Sequence, residues 1–292
     1  MSFSEQSASL SSRLGALAQR LGLAGRSSRQ IFERASGLQL PFQPLPMPVQ
    51  SIWWESGPPL QRLLDLPRGA LSGPVQEDKA QAHAVLIRLI KQRQEQLDSV
   101  DLRTISGFSC TDSNRAHCSS FEEYAASAAC HHIRIISYKD FVKAISQALP
   151  RFLAGEQISL RQANWHGEQL YWSGEQNLEA FACAIAYARR RGLEISLPAL
   201  LTHYQIDPAG LSELQSCYHM LAMPVQAWSD PSFMALLLDH GLPYARLSLL
   251  RSPGAPEFLL LPKAHEQARA LGDGLRLAGA PDAVSYLQQL KR

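Results

Sequence analysis

The chain has 292 residues, 46% hydrophobic and 18% charged, with 28 basic against 26 acidic side chains and a net charge of +2. That composition suits one large globular domain or two smaller ones and excludes collagen, coiled coil and wholesale disorder. The surplus charge is local: Arg13, Arg20, Arg26, Arg29 and Arg34 face only Glu5 and Glu33 within residues 1–40, so the remaining body is near neutral and ill-suited to bulk counterion release on nucleic acid.

The first 40 residues read as a basic helical segment. Leu10, Leu14, Leu17, Ala18 and Leu21 share one face at helical spacing, and a second short helix is predicted from Arg29 to Ala35, ended by Gly37. Its Ser/Arg-rich, acid-poor composition is also that of an organellar presequence, but it lacks the apolar block and cleavage site of a secretory signal. Residues 41–75 form a Pro/Trp-rich stretch, with Pro41, Pro44, Pro46, Pro48, Pro58, Pro59, Pro67 and Pro74 blocking helix and sheet alike. An extended linker or surface wrap is expected, with Trp53 and Trp54 packed against something.

Residues 76–292 are read as an α+β body: a small, central mixed sheet with flanking helices. A helix is predicted from Glu77 to Leu97, and Ser119 and Ser120 cap another from Phe121 to Ala129. A strand follows over His132–Ser137, then an amphipathic helix over Tyr138–Leu149. Strands at Gln157–Asn164 and Gln169–Trp172 meet at a His166-Gly167 turn. A helix from Gly174 to Arg191 is expected to use Ser173 as N-cap, Gln176 in capping-box position and Gly192 as C-cap. Further on come a strand at Leu193–Leu197, a helix at Leu211–Met223, a short strand at Val225–Trp228 and a helix at Ser232–His240. A hairpin spans Ala245–Leu250 and Glu257–Leu261, and two helices, Lys263–Leu271 and Pro281–Leu290, complete the C-terminal part, 243–292.

The run YWSGEQNLEAFACAIAYARRRG, preceded by a strand and a Gly-bearing turn, resembles the core of the ParB/sulfiredoxin-like superfamily over about residues 130–230. The resemblance implies a nucleotide- or nucleic-acid-binding turn at Gly174, Glu175, Gln176 and Asn177, with Asn164 and His166 nearby. Gly174 matches the motif glycine, whereas Glu175, Gln176 and Asn177 do not reproduce the family's phosphate-contacting His-Arg pair. A well-capped core helix on a hairpin is the competing reading of the same residues.

Cys110, His117, Cys118, Cys130, His131 and His132 lie close together in sequence. Four such groups suit tetrahedral zinc, although structural sites bring cysteines in tighter pairs. Cys118, just before a predicted helix, also has the position of an activated thiol with a neighbouring imidazole as base. Packed thiols are the third reading. No G-x-S-x-G, H-E-x-x-H, Walker-A or G-x-G-x-x-G motif occurs, and Gly272-Asp273-Gly274 falls between predicted helices. No apolar run reaches the roughly 18–20 residues that span a bilayer, and an odd number of cysteines fits a reducing compartment.

The expectation is therefore a cytoplasmic, non-catalytic interaction or regulatory protein of an uncharacterised bacterial family, in the manner of accessory antiphage-defence components. It would carry no obligatory cofactor and engage a protein partner or a second copy. Leu14, Leu17, Leu21, Trp53 and Trp54 are the expected docking residues.

Overall fold

The computed structural model describes residues 23–110, 117–250 and 254–291, with only the backbone of 23–25. In chain order its helices are α1 (Leu23–Ser36), α2 (Gln76–Leu86), α3 (Phe121–Ala125), α4 (Tyr138–Ala148), α5 (Leu178–Arg191), α6 (Pro208–Cys217), α7 (Pro231–Leu238), α8 (Glu266–Leu277) and α9 (Ala283–Leu290). The strands are β1 (Leu71–Ser72), β2 (Ile90–Asp101), β3 (Ile105–Phe108), β4 (Ile158–Ala163), β5 (Leu170–Trp172), β6 (Ser196–Ile206), β7 (Tyr218–Met223), β8 (Ala245–Leu247) and β9 (Glu257–Pro262). Two small sheets with helices make an α+β fold. The chain divides into two compact units, one built from residues 1–45, 66–86 and 211–286, the other from 46–65, 87–210 and 287–292. The proline-rich stretch is shared between them.

In the first unit an antiparallel sheet runs β1-β8-β9-β7. Ile31 and Ala35 of α1 enter one core with Leu221, Met223, Phe233, Leu259, Leu261, Leu271 and Leu275. The described part of the N-terminal segment is thus a core helix of this unit, and its apolar face is not free for a partner. α1 approaches α8 closely because Gly274 has no side chain: a Cβ there would lie 2.6 Å from Ala35 Cβ. Gly272 gives the same clearance to the buried His219 ring. The Gly-Asp-Gly run therefore lies inside a helix, where its glycines serve packing.

In the second unit a mixed sheet runs β2-β6-β4-β5-β3, with β2/β6 and β4/β5 antiparallel and β4/β6 and β3/β5 parallel. Register puts Leu160, Trp172 and Leu201 on one face. They share a core with Phe121, Phe141, Phe181 and Ile185 from α3, α4 and α5. Phe181 stacks on Trp172 at 4.1 Å and 13°. Ala182 and Ala184 are fully buried, so α5 is apolar nearly all round, as a helix sunk in the core must be. Ser120 caps α3, and Ser137 and Asp140 form a capping box on α4. Gly192, at φ +65°, closes α5 by accepting the left-handed conformation of a C-cap.

Several predicted elements differ. Residues 90–97 continue no helix; they form the long strand β2, because the ladder along β6 satisfies their backbone and overrides helical spacing. Residues 218–223 are strand β7, buried at every position, and such a run carries no period to separate strand from helix. Residues 133–136 form no regular element and pair with no strand among the described residues, and Val225–Ser229 is a 3-10 turn. Strand β6 runs well past Leu197. Helix α5 starts at Leu178, not Gly174: Asn177 precedes it at φ +50° without a side-chain cap, while the Ser173 hydroxyl accepts a hydrogen bond from Ser109. The helix predicted around Leu14, Leu17 and Leu21 lies outside the described residues.

Candidate functional site

Asn164 and His166 sit in the 3-10 turn before β5, whereas Gly174–Asn177 follow it. An extended strand separates residues by about 3.3 Å each, so the two groups stand at opposite ends of β5 and do not form one site. Asn164 Oδ1 accepts from the Ile206 amide, and Asn177 Nδ2 donates to the Gln147 carbonyl, 2.7 Å away. A Cβ at Gly174 would lie 2.0 Å from the Trp172 ring, so this glycine is there for that indole. Glu175 and Gln176 are exposed.

Trp53 and Trp54 are 8% and 3% exposed and belong to the interior, which corrects their expected role in partner docking. Trp53 packs on Phe108 and Tyr124. Trp54 packs on His166, Tyr171 and Tyr204 across the other sheet face. Burial pushes His166 down to about 4, so its ring is neutral at pH 7. Its Nε2 and the indole nitrogens of Trp54 and Trp165 have no hydrogen-bond partner among the described residues.

The cysteine–histidine set does not assemble either. Cys118 and Cys130 are buried, Cys110 is half-buried, and His117, His131 and His132 are exposed. Among the described residues no group of three or more His, Cys, Asp and Glu side chains is placed to hold a metal ion. Burial, with Glu123 nearby, raises the Cys118 thiol, which is the opposite of activation. Cys130 hydrogen-bonds to Cys183, and burial pushes Cys183 up to about 12, so both stay protonated.

Cys183 also belongs to a groove that sequence reasoning missed. Cys183, Ala186, Tyr187 and Arg190 form one stripe along α5, at the spacing that aligns residues on a helix face. Glu122 and Ala125 of α3 and Ala126 at its C-cap face them, and Ile133 and Ile135 close the third side, around about 190 Å³. Ala125, Ala126, Cys183 and Ala186 give it a lining of small side chains. Arg189 ties the groove's walls together: it bonds Glu122 and also the carbonyls of Arg103 and Ile105. The Arg191 guanidinium lies 5.7 Å from the Tyr187 ring centroid.

The segment Ile133–Ile136 is rich in β-branched residues yet runs unpaired. Ile133 N donates to the Cys130 carbonyl, while the Ile136 and Ser137 amides donate to Asp140 Oδ2. Between them, Arg134 and Ile135 have no hydrogen bond on the backbone among the described residues. Ile136 and Tyr138 are 66% and 61% exposed. Only the strand-like composition of HIRIIS hinted at this in the sequence.

A family model described as a family of unknown function, DUF6685, matches residues 94–292, more than half the chain and all of the groove. The chain belongs to that family. Comparison of this DUF6685 member with curated proteins and with solved structures finds no match. Among its described residues no helix is long and apolar enough to cross a membrane.

Proposed function

We propose that this DUF6685 protein is a non-catalytic interaction protein that captures an extended segment of a protein partner along Ile133–Ile136. The observation behind it is the free backbone of Arg134 and Ile135 beside a groove lined by the small side chains of Ala125, Ala126, Cys183 and Ala186. An incoming strand would take up the amide and carbonyl of one of these two residues, since neighbours along an extended chain face opposite sides, and seat one apolar side chain in the groove. Its volume of about 190 Å³ falls below the roughly 300–1,000 Å³ of small-molecule pockets, which favours a single side chain. Arg134 and Arg190 make no ion pair among the described residues, so acidic residues on the partner fit the rim. A regulatory or antiphage-defence partner would engage the protein here.

Linear peptides displayed on phage and selected against the full chain test this reading. Enrichment of an aliphatic residue flanked by Asp or Glu is expected. Ala186→Trp, which fills the groove, and Arg190→Glu, on its exposed rim, should each abolish binding. No enrichment, or binding indifferent to both variants, would sink it.

The nucleotide reading attached to the ParB-like pattern has less support. Gly174 is committed to Trp172, Asn177 to Gln147, and the turn offers carboxylate and amide where phosphate needs cations. A thermal shift with CTP or ATP tests it; a rise in melting temperature would revive it.

A further inference from the structure

Strand β2 is the outer strand of its sheet, paired to β6 on one side only. At about 3.3 Å per residue it spans roughly 40 Å. Lys91 to Gln96 are all exposed, and among the described residues 91–99 form no backbone hydrogen bonds beyond the β6 ladder. Long free edges are usually blunted by proline, by a bulge or by charged side chains, of which this run has Lys91, Arg93 and Glu95. This strand has no proline, and its bulge lies at Leu97–Val100, beyond the exposed run.

The charges along that run are self-complementary. The sequence is Lys91-Gln92-Arg93-Gln94-Glu95-Gln96. When two copies align antiparallel about Gln94, Gln92 falls opposite Gln96 and Arg93 falls opposite Glu95, twice over by symmetry. A two-fold axis at Arg93 or Glu95 would set like charges on themselves, and one at Gln92 would oppose Lys91 to Arg93. Opposite charges facing across a strand pair stabilise it, and like charges destabilise it. Arg93 and Glu95 already share one sheet face, where they pair at 2.9 Å within the strand. The axis at Gln94 therefore exchanges the two internal ion pairs, one in each copy, for two between copies.

We propose that two copies of this chain join β2 to β2 about a two-fold axis at Gln94, continuing the sheet across the interface. The contact is isologous, as in most homodimers. Its strand-edge area is small beside a standard interface, so the dimer is reversible and concentration-dependent. The edge is separate from the α3–α5 groove, so the two readings fail independently.

Sedimentation equilibrium on the full chain reads the proposal out. A monomer–dimer equilibrium is expected, weakened at least tenfold by Arg93→Glu and restored to within threefold by Arg93→Glu with Glu95→Arg. High salt weakens it as well. In a Cys217→Ser background, Gln94→Cys should form an intermolecular disulfide under mild oxidation, because directly opposed Cα atoms lie about 4.5–5.5 Å apart. Gln92→Cys, which faces Gln96 of the second copy, should not. A monomer at the highest soluble concentration overturns the proposal. So does a dimer indifferent to Arg93→Glu, or one that cross-links at residue 92 and not at 94.

Discussion

The His166 imidazole lies 4.3 Å from the Trp54 indole, centroid to centroid, with 32° between the planes. Trp165 and Tyr171 close in on the same ring, at 6.2 and 5.3 Å. A histidine in that setting is an aromatic core residue with a titration attached. Burial has moved it from its ordinary 6.5 to about 4. The unfolded chain takes up the proton near pH 6.5, the folded chain only near pH 4. The stability of the neutral ring is thus complete above pH 6.5 and lost as pH falls to 4, by up to about 3 kcal/mol. His166→Phe keeps the stack and removes the titration. Urea unfolding across pH 4–7 should show a flatter pH dependence for the variant. His219, also lowered by burial, contributes the same sign in both proteins. Identical pH profiles would contradict the assignment.

Gly57 packs directly on that histidine: a Cβ would lie 2.3 Å from its Cε1. The ring is boxed in by Trp54, Trp165 and Tyr171 and has nowhere to retreat. Gly57→Ala should therefore destabilise the protein by about 1–3 kcal/mol, as overpacking does. Chemical denaturation measures it; a neutral result would mean that the turn at residues 54–57 moves freely.

Asp140 holds the amides of Ile136 and Ser137 as well as completing the cap on α4. Hydrogen bonds from Ser137 and Ile136 keep its carboxyl below the ordinary carboxylate value. Its support is present at neutral pH and is lost as pH falls below that range. Ser137→Ala should cost about 1 kcal/mol. Asp140→Ala should free the 133–136 segment and weaken capture of selected peptides, with only a small change in melting temperature. Peptide titration followed by fluorescence anisotropy separates the two effects, and unchanged affinity in Asp140→Ala would detach the cap from binding.

Phe181 stacks flat on Trp172, and Gly174 lets the indole lie against the chain beyond it. Phe181→Ala should cost about 3–5 kcal/mol through the cavity it leaves. Gly174→Ala should also lower the melting temperature, since the indole is wedged between residue 174 and Phe181. A Gly174→Ala protein as stable as the wild type would reopen a binding role for that turn.

Which elements were legible follows a physical pattern. Helix α4 announced itself through apolar residues at helical spacing, Phe141 and Ile145 among them, although its cap, Ser137, was read as the end of a strand. The β4–β5 hairpin did so through Gly167, at φ +65°. Strands β2 and β7 did not. β2 is exposed along nearly its whole length and β7 is buried throughout, so neither alternates. The start of α5 was misplaced because Ser173 and Gln176 satisfy the local rule for a cap while the Ser173 hydroxyl bonds Ser109, far away in sequence.

The sequence by itself determined the α+β class, the capped amphipathic helices, the hairpins and the concentration of basic charge before residue 40, because each rests on residues close together along the chain. Tertiary structure decided the rest. It turned Trp53 and Trp54 from docking candidates into core, sank Cys118 and Cys130 into that core while leaving His117, His131 and His132 exposed, and left Arg134 and Ile135 unpaired beside a groove. It also placed Lys91–Gln96 on a free edge. Those outcomes depend on which distant strand or helix satisfies a given backbone or covers a given side chain, and no local spacing carries that information.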